Sequence, residues 1–323
     1  MERILYRNNT VGNTKIPQYI LIQEQNKWTI KSYAKINWIL EILSLRNDQY
    51  HNISSVFDII DLYDIINVEL SDSSTWDVKI SCNLRDLERR NIIYDLFDRL
   101  EIYNLGRKYK VKVELFKNIP LGGGLGGGSS NAASIIFLLY KLGIINLSLA
   151  FRICTTLGSD VLPIFLLYLY QNSYVFCFSK QDLCVPIQKN SDNSIQIILL
   201  IFPFGIETKK AYSEYDKIII QRNFLIGHKT HRFLYFLKHK KLSDYFIELI
   251  HNDFEKVIYN LYPEISYTKD SLYSIFGKEN LRVFLCGSGS TLAIIPKDQS
   301  IFHKLKTVIK DLNVFTSEVR VWL

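Results

Sequence analysis

A mixed fold of α-helices and β-strands in two domains is what this sequence predicts, and three observations predict it. The length of 323 residues is about twice the ~150 typical of one domain. Apolar residues make up 48% and charged residues 22% of the chain, the balance of a globular protein with a substantial core rather than a disordered or collagen-like one. Stretches in which apolar and polar residues alternate are interleaved with stretches in which apolar residues recur at helical spacing.

Taken in order, Trp28 to Leu43 alternates and reads as a long strand, and Ile53 to Leu70 reads as one or two more strands broken near Asp61. Asn91 to Leu105 carries a helical pattern ending at Gly106, and Tyr109 to Phe116 alternates as a strand that runs into Pro120. Ser129, Ser130 and Asn131 offer N-cap chemistry for an apolar helix that stops at Gly143. A second helix spans Leu147 to Leu157, and the apolar run Val161 to Tyr170 is a buried strand or helix. After the polar stretch Asn190 to Ser194, the strand Ile195 to Phe202 opens the second domain. Helical patterns follow to Gly277, then strands Arg282 to Cys286 and Thr291 to Ile295, a helix, and a last strand Val314 to Trp322. The expected division is an extension over 1–30, one domain over 31–190 and another over 191–323.

Several function classes are disfavoured by composition. The Val161–Tyr170 run ends at Gln171 and Asn172, well short of the ~18 apolar residues of a membrane span. The net charge of +7 is scattered, its densest group being Lys238 to Lys241, and no basic stripe interleaved with aromatics points to nucleic acid. The five cysteines (Cys82, Cys154, Cys177, Cys184, Cys286) are odd in number and form no Cys-x-x-Cys, so reduced thiols are expected rather than a disulfide or zinc framework. The first thirty residues lack a secretory apolar core and make only a weak transit signal.

The sharpest local feature is glycine. The chain has only 15 glycines in 323 residues, against about 7% on average, yet six of them fall between Gly122 and Gly128. A strand that delivers glycines to a helix start gathers bare N–H groups and the positive end of the helix dipole at one point, which suits phosphate. A Walker A loop would need Gly-Lys-Ser/Thr, but Ser129 follows Gly128. The spacing Gly122, Gly124, Gly127 matches G-x-G-x-x-G, but Leu147 stands where a dinucleotide fold places its acidic ribose ligand. A flexible linker would not run into an apolar helix.

The run Pro120-Leu121-Gly122-Gly123-Gly124-Leu125-Gly126-Gly127-Gly128-Ser129-Ser130-Asn131-Ala132-Ala133 closely resembles the ATP-binding motif of the GHMP small-molecule kinases. Ser32 to Asn37, Tyr50-His51, Leu157 to Val161, Gly205 to Thr208 with Tyr212, Asn252 to Glu255 and Gly287 to Ser290 resemble further segments of that family in the same order.

This resemblance implies two α+β domains, the first like ribosomal protein S5 and the second ferredoxin-like. It also implies ATP-dependent phosphorylation of a hydroxyl on a cytidine diphosphate derivative of methylerythritol, in isoprenoid biosynthesis. ATP would lie on Pro120, Gly122, Gly123, Gly124, Gly126, Gly127, Gly128, Ser129 and Ser130, with Asn91 and Lys117 near the nucleotide. Asp160 would be the general base and Lys35 would stabilise charge on the substrate oxygen. Lys35 and Asn37, two apart in a strand, share one face. Tyr50 and Tyr212 would stack on the base and His51 would bond its edge, with Asn37 and Thr208 completing the contacts. ATP implies Mg²⁺, but the sequence singles out no carboxylate ligand for it. The expected setting is a soluble enzyme of a bacterial cytoplasm or a plastid-type organelle.

Two stretches depart from the family pattern: Asp160-Val161-Leu162-Pro163, where proline is displaced by one, and Phe178 to Asp182, where the usual glycines are missing. The alternatives are a homoserine- or mevalonate-type kinase, which has no base to stack on Tyr50, and a catalytically silent ligand sensor.

Overall fold

The computed structural model describes residues 20–24, 26–103, 105–189, 194–218, 227–238, 247–312 and 314–322. The strands are β1 (Ile20–Glu24), β2 (Lys27–Leu45), β3 (His51–Ser73), β4 (Asp77–Cys82), β5 (Lys108–Phe116), β6 (Ser173–Ser179), β7 (Leu183–Gln188), β8 (Ser194–Ile201), β9 (His251–Asn252), β10 (Leu281–Leu285), β11 (Thr291–Pro296) and β12 (Phe315–Trp322). The helices are α1 (Ile92–Ile102), α2 (Gly127–Lys141), α3 (Leu147–Leu157), α4 (Val161–Leu169), α5 (Thr208–Ile218), α6 (His228–Lys238), α7 (Glu255–Leu261), α8 (Pro263–Phe276) and α9 (Gln299–Val308). Two compact units interleave along the chain: Met1–Tyr33, Leu62–Ile119 and Gly127–Asn172 form one, and Ala34–Asp61, Pro120–Gly126 and Ser173–Leu323 the other. The long strands β2 and β3 each run from one unit into the other.

In the first unit β5 pairs antiparallel with the end of β3, from Ile65↔Phe116 to Ser73↔Lys108, and parallel with β4. Helices α1 to α4 belong to the same unit. Every residue of α2 from Ser130 to Leu139 is buried, as an apolar helix without a polar face requires. In the second unit the β6–β7 hairpin adds to the start of β3, and β9 lies parallel to β2 at Ile39↔His251. A four-stranded antiparallel sheet in the order β10-β11-β8-β12 completes this unit. Its core joins Ile198, Leu200, Val283, Leu285, Leu292 and Ile294 to Phe254 and Ile258 from the helical side.

Several expectations change. The stretch expected to break near Asp61 is one unbroken strand, because the acidic residues flanking that point, Asp58 and Asp64, are buried partners of Lys189 and Lys117 rather than turn formers. Ser129, Ser130 and Asn131 do not cap α2: the helix already begins at Gly127, and Ser130 and Asn131 turn their polar atoms inward. The run from Val161 is a helix, and α1 ends at Ile102, short of Gly106. The polar boundary expected at 190–194 falls mostly on residues 190–193, outside the described ones.

The β6–β7 hairpin was not evident from the pattern, and its turn is the place where family glycines are missing. Ser179 and Gln181 there adopt φ of +62° and +68°. The left-handed backbone survives without glycine, at a cost of about 1–2 kcal/mol per residue. The five cysteines are free thiols, and no helix among the described residues is long and apolar enough to cross a membrane.

Candidate active site

In the second unit three segments converge on the start of the glycine loop. Lys35 on β2 donates its backbone N–H to the Leu125 carbonyl at 3.0 Å, and Ile206 donates to the Gly122 carbonyl at 3.1 Å. The turn after β10 packs against Gly124: a Cβ built on Gly124 would stand 1.8 Å from the Cys286 carbonyl oxygen, and its φ is +78°. Close approach and left-handed backbone together exclude every other residue at this position. Gly123 packs against Thr291, Gly126 adopts a φ of +67°, and Pro120 begins the loop.

The lysine side chain is prepared in the same place. Lys35 is buried, and its Nζ donates to the Asn37 side-chain oxygen at 2.8 Å. The Asn37 amide in turn donates to Ser55 Oγ at 2.9 Å, and Ser55 donates to the Ile39 carbonyl. Gly287 leaves room for the ammonium, since a Cβ there would come within 3.0 Å of it. Asn252 holds the glycine turn by donating to the carbonyls of Leu285 and Gly287 at 2.8 and 2.7 Å. The Thr208 hydroxyl lies 2.8 Å from the Ser288 hydroxyl of that turn. Burial pushes the Cys286 thiol up to about 12 despite the nearby Lys35, so this cysteine is inert.

Also in the second unit, His51 stacks on Tyr212 of α5, with ring centroids 4.6 Å apart and planes 14° from parallel. Its Nε2 lies 2.7 Å from the Asp216 carboxylate. Tyr50 is 59% exposed, with the Lys180 ammonium 5.4 Å from its ring centroid.

The first unit holds the start of α2. Gly128 lies in the first turn of α2 and has open space where a Cβ would point, at the positive end of the helix dipole. Ser129 Oγ lies 4.0 Å from where Gly158 would carry a Cβ, so the turn leading to Asp160 borders the helix start. Asp160 stands at the N-cap position of α4 without bonding that helix's amides through its side chain.

Lys117 is not the surface residue its sequence context suggests. It is buried beside Gly127, ion-paired with Asp64 and bonded to Asn131. Asp64 also accepts from the N–H groups of Asn118 and Ile119 and from Asn131, at 2.8 Å each. Ser130 donates to the Tyr33 carbonyl and meets Tyr168. Asn91 caps α1, its side-chain oxygen accepting from the Ile93 N–H.

Asp64, Ser55 and Asp216 escaped the sequence reading. A carboxylate within an apolar strand was the available signal for Asp64; nothing local marks the other two. Among the described residues no group of three or more His, Cys, Asp or Glu is placed to hold a metal. Among the described residues Mg²⁺ therefore finds no cage of protein carboxylates.

Residues 91–166 match the family described as GHMP kinases N terminal domain. The chain is 32% identical over 277 residues to a 4-diphosphocytidyl-2-C-methyl-D-erythritol kinase of Thermodesulfovibrio yellowstonii, covering 82% of this chain and 88% of that one. It is 30% identical over 296 residues to a protein of the same name from Francisella philomiragia subsp. philomiragia, covering 88% of this chain and 96% of the relative. Among solved structures, a 4-(cytidine 5'-diphospho)-2C-methyl-D-erythritol kinase shares the fold with a TM-score of 0.67 at 21% identity, over 91% of this chain and 99% of that one.

Proposed function

The chain belongs to the 4-diphosphocytidyl-2-C-methyl-D-erythritol kinases of the GHMP kinase family, and from that premise we propose that it transfers the γ-phosphoryl group of ATP to the 2-hydroxyl of 4-diphosphocytidyl-2-C-methyl-D-erythritol. The reaction is a step of isoprenoid biosynthesis. The observation that carries this reading is the set-up of Lys35: a buried ammonium on a strand whose backbone is bonded to the glycine loop.

Phosphoryl transfer demands positioning and charge stabilisation more than covalent chemistry. Gly122, Gly123, Gly124, Gly126, Gly127 and Gly128 with Pro120, Ser129 and Ser130 form the phosphate cradle, and Asn91 and Lys117 belong to the nucleotide side. Lys117, committed to Asp64, acts there by shaping the loop. Asp160 accepts the hydroxyl proton as the oxygen attacks phosphorus, and Lys35 stabilises negative charge on that oxygen. Tyr50 and Tyr212 take the faces of the cytosine, His51 its edge, and Asn37 and Thr208 the remaining polar contacts. Mg²⁺, held by the phosphate oxygens and water rather than by a protein carboxylate, would neutralise part of the triphosphate charge. The division into an extension over 1–30, a nucleotide-binding domain over 31–190 and a second domain over 191–323, and a bacterial cytoplasm or plastid-type organelle as the setting, belong to the same proposal.

Incubating the full-length protein with ATP, Mg²⁺ and the cytidine diphosphate substrate, with mass spectrometry of the products, tests it. ADP and a phosphorylated substrate in equal amounts are expected; neither appearing overturns the reading.

A further inference from the structure

The His51 ring has two nitrogens, and only one has a partner among the described residues: Nε2, at 2.7 Å from Asp216 Oδ1. An ionised carboxylate has no hydrogen to give, so in the neutral ring the hydrogen sits on Nε2 and the lone pair on Nδ1. Stacking on Tyr212 within 14° of parallel fixes the plane in which that lone pair points. Asp216 follows Thr208 and Tyr212 at four-residue intervals on α5, a spacing that keeps the three on one side of the helix. Its side chain is 42% exposed, so the contact adds little to stability. Its effect is on the ring.

We propose that Asp216 sets the nucleobase specificity of the site, by holding His51 in the tautomer whose Nδ1 accepts a hydrogen bond from the exocyclic amine of cytosine. Uracil carries a carbonyl oxygen at that position and would set a lone pair against a lone pair. The Tyr212 ring that carries His51 therefore sets the plane in which the base is read. Asp216 is thus a positioning residue that acts through His51, and the proposal rests on the assignment of Tyr50, His51 and Tyr212 to the base.

Calorimetric binding of cytidine diphosphate and uridine diphosphate to the full-length protein tests this without requiring turnover. The native protein is expected to favour cytidine diphosphate by at least tenfold. In Asp216→Asn, which can donate to Nε2 as readily as accept from it, affinity for cytidine diphosphate should fall about tenfold and the preference to less than threefold, and Asp216→Glu should recover part of both. In turnover the loss should appear in KM, with kcat within twofold. Nitrogen-15 spectra of histidine-labelled protein, with His51 assigned by its loss in His51→Gln, should show a pyridine-type Nδ1 in the native chain and mixed tautomers in Asp216→Asn. A native protein indifferent to the base, or an Asp216→Asn variant that keeps both the tautomer and the preference, overturns the proposal. Selective binding that depends on Asp216, without phosphorylation of the erythritol substrate, leaves this inference standing and removes the proposed reaction.

Discussion

Lys35 donates from Nζ to the side-chain oxygen of Asn37 across 2.8 Å, and both residues are all but sealed from solvent. The pair lies on one face of β2, as a two-residue spacing in a strand requires. The amide oxygen of Asn37 orients the ammonium. Lys35→Met keeps the length of the side chain and removes the charge. We expect kcat to fall about 10²–10³-fold, with the urea midpoint close to native. Activity within threefold of native would exclude Lys35 from the chemical step.

Asp160 stands at the N-cap position of α4, yet its side chain makes no bond to that helix's amides. Asp160→Asn preserves shape and removes the proton acceptor. Turnover should drop about 10²–10⁴-fold while ATP affinity, read by calorimetry, stays within threefold. Native-like turnover would take Asp160 out of the mechanism.

The turn before Tyr50 stores a removable strain. Gln49 is exposed with a φ of +65°, a conformation that glycine adopts without penalty. Gln49→Gly should raise stability by about 0.5–1 kcal/mol in urea unfolding. A lower midpoint would show that the glutamine side chain contributes more than its backbone costs.

Asp253 anchors β2 by accepting the Ile42 N–H at 2.9 Å. Burial works against its ionised form, but hydrogen bonds from His251, Lys256 and Ile42 win and hold the carboxyl well below the usual carboxylate range. The stabilisation is therefore complete above the unfolded carboxyl pKa of about 3.9 and is lost as pH falls through the lower folded value. Asp253→Asn should cost about 2 kcal/mol at pH 7 and roughly half as much near pH 2.5, where the unfolded carboxyl is protonated and the folded one is still ionised. An equal loss at both values would assign the effect to shape rather than charge.

Much of the candidate site was legible because its signals are local. The glycine run, the Lys35–Asn37 spacing and the Tyr50-His51 pair are short strings whose chemistry depends on neighbours within a few residues, and α3, capped by Asn146 and closed at Gly158, has the expected bounds. The apparent break at Asp61 and the apparent caps at Ser129 to Asn131 misled for the opposite reason. A polar residue in an apolar run signals a turn or cap when its partners are close in sequence, and a buried pair when they are far away. Lys117 illustrates the second case, since its partner Asp64 lies 53 residues back along the chain.

By itself, the sequence determined the local chemistry of this protein: which strand carries the lysine, where glycine frees the backbone, and where α3 begins and ends. Only the tertiary structure decided which distant groups complete that chemistry. Asp216 reaches His51 across 165 residues and Asp253 pins Ile42 across 211, and two compact units are assembled from interleaved segments. The physical reason is that local conformational preference acts over a turn or two of chain, whereas the partner of a buried charge or a strand edge is selected by burial and pairing over the whole fold.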